Sequence, residues 1–227
     1  DDTGEMAQKL TFFIDIIPEK SDQILKLLCK LVSSGPVGKR LTTVKGIRSI
    51  VERKNVSKKN LEEVKATILN DEFDISNSQI FDQVLNFLPI LSKEVNFTDD
   101  DLIDILGKVH SSDNHIYKCI SEIIPNVKTN LKKFAQNFID SDIYSPAIIC
   151  SLISRITSKS INQLLFSRLL KPPQTYDNDP YSENNRSLLI STIKSSFGQS
   201  PNMKNLLETK MEETEDPEEI CALSQIL

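Results

Sequence analysis

The residues best suited to chemistry lie mid-chain, where His115 and Cys119 stand four positions apart. On a helix this spacing places both side chains on one face, where an imidazole and a thiolate can ligate zinc. A structural zinc site needs four ligands and a catalytic site needs three, and His110 and Asp113 complete the set poorly. We therefore expect an exposed His115 over a buried Cys119, with no bound metal and no cofactor.

Nucleophilic catalysis needs a base beside the nucleophile, and the two histidines of the chain flank a short polar joint, Ser111–Asn114. The segment Gly35–Arg40 resembles a phosphate-binding loop only superficially, because its glycines are too close together and no strand precedes it. It is interpreted as a joint between two helices. We expect no catalytic residue in this chain.

A run of acids, Asp99 to Asp101 with Asp104 nearby, invites comparison with a calcium loop. The run lacks the alternating ligands and the bidentate glutamate of such loops. Thr98 followed three residues later by Asp101 is instead typical of a capping box, and the acids suit the positive end of a helix dipole. The pattern predicts a helix that begins at residue 98.

A basic segment runs from Val37 to Asn60 and contains a single acid, Glu52. Such a segment can steer an acidic partner, although a solvated helix face is the alternative interpretation. It has no aromatic residue on which bases stack, and the chain carries a net charge of −5, so nucleic acid is disfavoured as a partner. The predicted protein-docking residues are Lys39, Arg40, Lys45, Arg48, Arg53, Lys54, Lys58 and Lys59.

The elements that must position these residues are helices, because apolar residues recur at spacings of three and four, as in Ile24, Leu27, Leu28 and Leu31. No run alternates as a strand would. No apolar run reaches the ~20 residues of a membrane helix. The predicted helices cover residues 5–17, 21–34, 42–53, 57–70, 76–92, 98–110, 113–124, 126–139, 145–157, 159–170, 185–197, 201–211 and 217–227.

Local signals refine these helices. Pro89 falls inside an apolar pattern and is expected to kink or divide its helix. The four cysteines lie far apart in apolar helical patterns, which predicts buried reduced thiols and a cytoplasmic or nuclear protein. The predicted helix caps are Ser21, Ser57, Ser76, Ser145 and Asn184, and the cysteines are Cys29, Cys119, Cys150 and Cys221.

The joints between helices are short, so consecutive helices are expected to lie antiparallel and side by side. Predicted starts recur at roughly forty residues, near the ~40–47 of HEAT and armadillo repeats. We predict an all-α fold, a right-handed stack of antiparallel helical hairpins over residues 1–227; a compact bundle is the alternative. The segment 171–184 holds three prolines and no apolar period, which makes it a possible sub-boundary.

Three consecutive segments carry a family resemblance: Gln79–Leu88, Phe97–Leu106 and His115–Leu131. They read as a glutamine-containing apolar helix that ends in Phe-Leu, a threonine-capped helix, and an isoleucine-rich helix that closes on Pro and Asn-Leu. Over residues 75–170 the chain resembles the amino-terminal helical-repeat region of large ubiquitin-specific proteases of the fat-facets type. Leu106 stands where that family tends to carry tryptophan.

The resemblance implies a limited set of functions. In such proteases the ubiquitin-cleaving domain is a separate later unit with a cysteine box and a histidine box, and neither box occurs in this sequence. The parent protein would be a deubiquitinase, with this segment as a non-catalytic arm that recognises ubiquitinated substrates or regulators. The alternative is a HEAT-type adaptor domain of a translation, RNA-processing or nuclear-transport factor.

Overall fold

A computed structural model describes residues 9, 12, 18–32, 36–53, 56–70, 73, 77–108, 114–141, 143–170, 191, 201–215 and 223–224. Throughout these ranges the regular secondary structure is helical, which confirms the predicted all-α class. The α-helices are α1 Ser21–Val32, α2 Val37–Glu52, α3 Lys58–Leu69, α4 Ser78–Leu91, α5 Asp99–Gly107, α6 Asn114–Ile123, α7 Lys132–Asp140, α8 Pro146–Arg155, α9 Lys159–Leu170 and α10 Pro201–Glu213.

Two short 3-10 turns, Pro18–Lys20 and Ile124–Asn126, adjoin α1 and α6. The predicted helices 5–17, 185–197 and 217–227 lie almost wholly outside the described residues, as does the predicted sub-boundary at 171–184. Among the helices that are described, none has the length and apolar character needed to cross a membrane.

The chain forms two compact units. The first comprises Asp1–Phe97 and Asp104–Lys128, and the second comprises Thr98–Ile103 and Thr129–Leu227. Helix α5 therefore gives its first residues to the second unit and its last residues to the first.

Most of the described helices pack against the described helix two positions on. In the first unit α1 contacts α3, α2 contacts α4 and α4 contacts α6; in the second unit α7 contacts α9 and α8 contacts α10. Sequence neighbours pack as well, α1 with α2 and α8 with α9. Each hairpin thus buries its apolar face against the next, which is compatible with a helical-repeat stack. The handedness of the stack stays a prediction.

Hydrogen bonds connect the starts of helices that are two apart. In the first unit the Asp22 carboxylate accepts from the backbone N–H of Ser57 at 2.9 Å, which joins the start of α1 to the start of α3. In the second unit the Asp99 carboxylate, at the start of α5, accepts from Lys133 N–H at 2.9 Å and Phe134 N–H at 3.1 Å, at the start of α7. These bonds hold the starts of the paired helices side by side.

The ends of such helices are connected in the same way within the first unit. The Asn126 side-chain amide, after α6, donates to Ser92 Oγ, after α4, at 2.9 Å. The Lys108 ammonium donates to the Asn70 carbonyl at 3.0 Å, which joins the ends of α5 and α3. The residues joined by these two hydrogen bonds are 34 and 38 positions apart. This separation gives the length of the structural repeat, which no sequence motif marks.

Helix α2 begins at Val37, five residues before its predicted start, so the joint predicted over Gly35–Arg40 is largely helix. Pro36 is the N-cap, with extended φ −63° and ψ 155°, and its carbonyl accepts from the N–H groups of Lys39 and Arg40. Gly38 lies inside the first turn. Pro36 fixes its own φ and starts the helix at the next residue.

Helix α4 runs through Pro89 to Leu91, so the predicted division of this helix does not occur. Pro89 lies in the last turn, where its missing N–H costs a single backbone hydrogen bond. The Ser92 hydroxyl donates to the Pro89 carbonyl at 2.8 Å and closes the helix end.

Helix α7 begins at Lys132 and not at the predicted residue 126. Leu131, its N-cap, has φ 59° and ψ 10°, the left-handed region that non-glycine residues seldom adopt. The Leu131 side chain is buried, so apolar burial holds the backbone in this conformation. Tertiary packing therefore sets the start of α7.

Of the predicted helix caps, some form the expected hydrogen bond and others do not. Ser145 accepts from Ile148 N–H and caps α8, as expected. Ser57 precedes α3 without a side-chain cap bond, and Ser21 donates its hydroxyl to the Pro18 carbonyl at 2.7 Å. Asn77 caps α4 by accepting from two backbone N–H groups; the predicted caps Ser76 and Asn184 lie outside the described residues.

Candidate functional site

The predicted docking residues of the basic segment fall into three environments. Arg40 is buried, and Lys39 and Arg48 are partly exposed. Lys54 lies outside the described residues. The residues that present their side chains to solvent are Lys45, Arg53, Lys58 and Lys59.

Arg40 belongs to the interior and not to a docking surface. Its side chain is 8% exposed, and its Nε donates to the Val32 carbonyl, the last residue of α1, at 3.3 Å. Its guanidinium lies 5.6 Å from the ring centroid of the buried Phe73, a cation–π contact. Arg40 therefore stabilises the packing of α2 on α1.

Arg48 is engaged on two sides. Its Nε lies 2.7 Å from Glu52 Oε1, one helical turn on, and it also donates to Gln83 of α4 at 3.3 Å. The ion pair neutralises Glu52, the acid of the basic segment. Arg48 thus connects α2 to α4 and offers a partner less charge than its sequence suggested.

Exposed cations are concentrated where α2 ends and α3 begins, in a group we call the basic turn: Arg53, Lys58 and Lys59. Arg53 is the C-cap of α2, and both lysines lie in the first turn of α3. That turn contains no acidic residue, so the lysines add to the positive end of the helix dipole. The result is a positive electrostatic potential where α2 ends and α3 begins.

Asp22 supplies the acid that the first turn of α3 lacks. Its burial favours the neutral acid, but hydrogen bonds from Ser57 and Asn60 and the charge of Lys26 outweigh this and lower the pKa of Asp22. The carboxylate caps α3 and places one negative charge beside the positive charges of the basic turn.

The His115 and Cys119 pair borders a cavity of about 370 Å³ between α4 and α6. His115 is exposed, with Nδ1 3.7 Å from Asp82 Oδ1, and Cys119 is buried beneath it, as expected. Burial, and then the charge of Glu122, raise the pKa of Cys119 to about 12. The thiol therefore stays protonated at neutral pH and makes a poor nucleophile.

Two other cysteines share this burial. Cys29 and Cys150 are buried and form no disulfide, and burial, followed by the charge of Glu63, raises the pKa of Cys29 to about 11. Cys221, His110 and Asp113 lie outside the described residues. Among the residues that the structure describes, no three His, Cys, Asp or Glu side chains gather as metal ligands would.

The acids at the start of α5 act as caps. The Thr98 N–H and hydroxyl both donate to Asp101 Oδ2, at 2.8 and 3.0 Å, and Asp101 N–H donates back to Thr98 Oγ1 at 3.3 Å. This is the reciprocal capping box that the sequence predicted. Asp99 is buried and accepts a further hydrogen bond from the Thr129 hydroxyl, and Asp100 pairs with Lys133.

The second unit contains a groove that sequence reasoning missed. It lies between α9 and α10, has a volume of about 490 Å³, and is lined by side chains that recur at three- and four-residue spacing on each helix. Four of them are carboxamides: Asn162, Gln163, Asn202 and Asn205. In the sequence these amides recur on helix faces. This recurrence is equally typical of solvent-exposed helix positions, so it did not by itself indicate a groove.

No protein-family model, curated protein sequence or solved structure matches this chain, so its own residues must carry the functional inference.

Proposed function

We propose that this chain is a protein-binding scaffold that engages an acidic surface of its partner through the basic turn. The observation that carries the proposal is the position of Lys58 and Lys59, both exposed, in a first helical turn that holds no acid. Like charges at the positive end of a helix dipole are unfavourable in the isolated chain. The Asp22 carboxylate that caps α3 offsets part of that repulsion, and an acidic partner offsets more of it.

Architecture supports the same function. Hairpins that bury one face against their neighbours leave the opposite faces open along the stack, and repeat proteins bind partners on such surfaces. Charged residues at the rim of a protein interface mainly raise the association rate and exclude wrong partners. The basic turn is suited to that role.

A charge-reversal variant tests the proposal. Arg53→Glu with Lys58→Glu and Lys59→Glu inverts the basic turn, and the two acids introduced into α3 suit its dipole. Circular dichroism and thermal unfolding check that the variant is folded. Reversal of Lys93, Lys118 and Lys132, all exposed elsewhere, changes net charge equally and serves as the control. Proteins captured by the wild type are quantified by mass spectrometry, and the affinity of each purified binder is then measured for all three chains.

We expect at least one directly binding protein to lose roughly tenfold or more in affinity on inversion of the basic turn and to be unaffected by the control. Binding should also weaken with salt, because exposed charges are screened within ~8–10 Å at physiological ionic strength. Equal binding by wild type and inverted chain, for every binder, contradicts the proposal. RNA binding of comparable strength would favour the adaptor alternative instead.

We further propose that the parent protein is a ubiquitin-specific cysteine protease for which this segment is the recognition arm. The segments that carry the resemblance fold as α4, α5 and α6, with the capping box at Thr98 and the turn at Pro125. Three buried cysteines outside any disulfide support a reducing compartment, the cytoplasm or the nucleus.

The complete reading frame provides the first test of that parentage, since it should encode a cysteine box and a distant histidine box. In the intact protein, inversion of the basic turn should raise KM for a ubiquitinated protein substrate and leave hydrolysis of a small ubiquitin reporter unchanged. A reading frame without a cysteine-protease domain rejects the parentage and leaves the scaffold proposal standing.

A further inference from the structure

Ser57 is an exposed serine that lies between Arg53 and Lys58 of the basic turn, immediately before α3. Its backbone is extended, with φ −66° and ψ 144°, and its side chain makes no capping hydrogen bond to the helix. The hydroxyl therefore does not satisfy the N–H groups of the helix start in the way that a capping serine does. Because the residue is exposed, an enzyme that modifies alcohols can approach it from solvent.

Cations lie on both sides of Ser57. Arg53 precedes it by four residues, Lys58 and Lys59 follow it directly, and all three side chains are exposed. Protein kinases choose substrates partly by charge, and the basophilic class recognises cations near the serine through acids in its substrate groove. Lys58, in the next position, disfavours kinases that require a proline or acids there. The charge pattern therefore fits a basophilic serine/threonine kinase.

A kinase must bring the hydroxyl and its neighbours into a cleft, so the first turn of α3 has to open. Helix ends fray, and this turn has two lysines at the positive end of the dipole, no acid, and no cap from the Ser57 side chain. Opening it therefore costs less than opening a capped turn. Asn60 and Leu61 are buried, which limits the opening to the two exposed lysines.

We propose that Ser57 is a phosphorylation site for a basophilic serine/threonine kinase, and that its phosphate abolishes docking at the basic turn. The kinase transfers the γ-phosphoryl group of ATP. The bond between the γ-phosphorus and the β,γ-bridging oxygen breaks, a bond between phosphorus and Ser57 Oγ forms, the hydroxyl proton passes to the catalytic aspartate of the kinase, and ADP leaves. The effect on docking rests on the proposed function of the basic turn, whereas the modification site does not.

The charge of the phosphate accounts for the effect on docking. A phosphoserine carries about −1.5 to −2 charges at pH 7. It therefore cancels most of the net positive charge that the three cations and the Asp22 carboxylate leave at this turn. An acidic partner then meets a surface without net attraction, and its association slows.

The phosphorylated chain should remain folded. Asp22 accepts from the Ser57 N–H at 2.9 Å, so the phosphate adds a second anion beside this carboxylate. Repulsion between the two anions weakens the Asp22 cap. The phosphate offsets this loss, because an anion at a helix start is favoured by the dipole and by the N–H groups of the first turn.

The first experiment locates the phosphate on the folded 227-residue chain. The chain is incubated with ATP, Mg²⁺ and the catalytic domain of protein kinase C, a basophilic kinase, and peptide mapping by mass spectrometry gives the site and the initial rate. Phosphate should appear on Ser57, and Lys58→Gln with Lys59→Gln should lower the rate there by roughly fivefold or more. Ser160→Ala removes an exposed serine from the first turn of α9 and is the matched control; it should leave the rate at Ser57 within about twofold.

The second experiment measures docking with a fluorescein-labelled decaglutamate peptide as the acidic probe. Fluorescence anisotropy at low ionic strength, where screening is weak, compares the unmodified and the phosphorylated chain. Phosphorylation should weaken binding by roughly fivefold or more, and treatment with a phosphatase should restore it. Ser57→Ala incubated with the same kinase should keep the affinity of the unmodified chain. Circular dichroism checks that the phosphorylated chain is folded.

Two results would overturn the inference. The first is a folded chain that carries no phosphate on Ser57, whether or not a synthetic peptide of residues 51–63 is phosphorylated. The second is a chain phosphorylated at Ser57 that binds decaglutamate within twofold of the unmodified chain.

Failure of the proposed function gives a different result. In that case Arg53→Glu with Lys58→Glu and Lys59→Glu binds decaglutamate as the wild type does, and phosphorylation changes nothing in binding, although Ser57 still accepts phosphate. If the inverted chain loses binding while Ser57 accepts no phosphate, the proposed function stands and the modification site is rejected.

Discussion

The carboxylate of Asp22 in the first turn of α1 accepts a hydrogen bond from the backbone N–H of Ser57, 35 residues later, immediately before α3. The second unit repeats the arrangement, since Asp99 at the start of α5 accepts from the backbone N–H of Phe134 in α7, also 35 residues later. In both cases an acid from one helix caps the helix two positions on. Because a carboxylate is a strong acceptor and suits the helix dipole, each such bond fixes the register of a hairpin pair.

The Asp22 cap makes stability depend on pH. We expect Asp22→Ala to lower the free energy of unfolding by about 1 kcal/mol at pH 7. The pKa of Asp22 is lowered in the folded chain, so its contribution is complete above the unfolded pKa, ~3.9, and is lost as pH falls through the folded value. Denaturant titrations from pH 7 to pH 2 should show less acid destabilisation in Asp22→Asn than in wild type. Glu19→Gln, a neighbouring exposed acid, is the control; identical pH profiles for Asp22→Asn and wild type would refute the assignment.

The Asp99 cap should contribute more, because this side chain is buried and accepts from two backbone N–H groups and the Thr129 hydroxyl. Asp99→Ala leaves those donors unsatisfied and should cost about 2–3 kcal/mol. Asp100→Ala removes an exposed ion pair and should cost less than about 0.5 kcal/mol. Chemical denaturation measures the free energy of unfolding of both variants. Equal losses would show that the Asp99 cap contributes no more than the exposed Asp100 ion pair.

Arg40 should behave as a core residue. Arg40→Ala removes the hydrogen bond to the Val32 carbonyl and the contact with Phe73, and should lower the unfolding free energy by about 1–3 kcal/mol. Lys45→Ala, on the exposed side of the same helix, should change it by less than about 0.5 kcal/mol. Differential scanning calorimetry distinguishes the two. A destabilised Lys45→Ala beside an unaffected Arg40→Ala would reverse the assignment.

The buried thiols should be inert in the folded chain. The pKa values of Cys29 and Cys119 are raised to about 11 and about 12, so the reactive thiolate is scarce at neutral pH. At pH 7.5 we expect iodoacetamide to modify neither residue of the folded chain within an hour. In about 6 M guanidinium chloride, which denatures most domains, it should modify both. Peptide mapping by mass spectrometry reads the result. Rapid alkylation of Cys119 in the native chain would show that the thiol is accessible and activated.

Helix type, the capping box at Thr98 and the cap at Ser145 could be predicted from the sequence because each depends on residues within one or two helical turns. The buried cysteines followed for the same reason, since a local apolar period already marks the inward face. The predicted start of α7 at residue 126 was wrong because it depends on residues that are distant in the sequence. Burial of the Leu131 side chain holds its backbone in the left-handed region, and α7 begins at the next residue.

The functional residues divide in the same way. The sequence showed that cations are concentrated between Val37 and Asn60, because charge is a property of composition. It did not show that Arg40 points inward, that Arg48 donates to Gln83 of α4, or that Asn162 Oδ1 lacks a donor. Those facts depend on which helix packs against which. The residues nearby in the sequence do not determine that packing.

The sequence by itself determined that this chain is helical, where most of its helices lie, and which faces are apolar. These properties arise from backbone hydrogen bonds between residues four apart and from a side-chain period of 3.6 residues, both of which are local. The tertiary structure alone decided the pairing of helices two apart, the caps from Asp22 and Asp99, and the groove between α9 and α10. Such features require contacts between residues about 35 positions or more apart, whose partners are selected by packing of the whole unit.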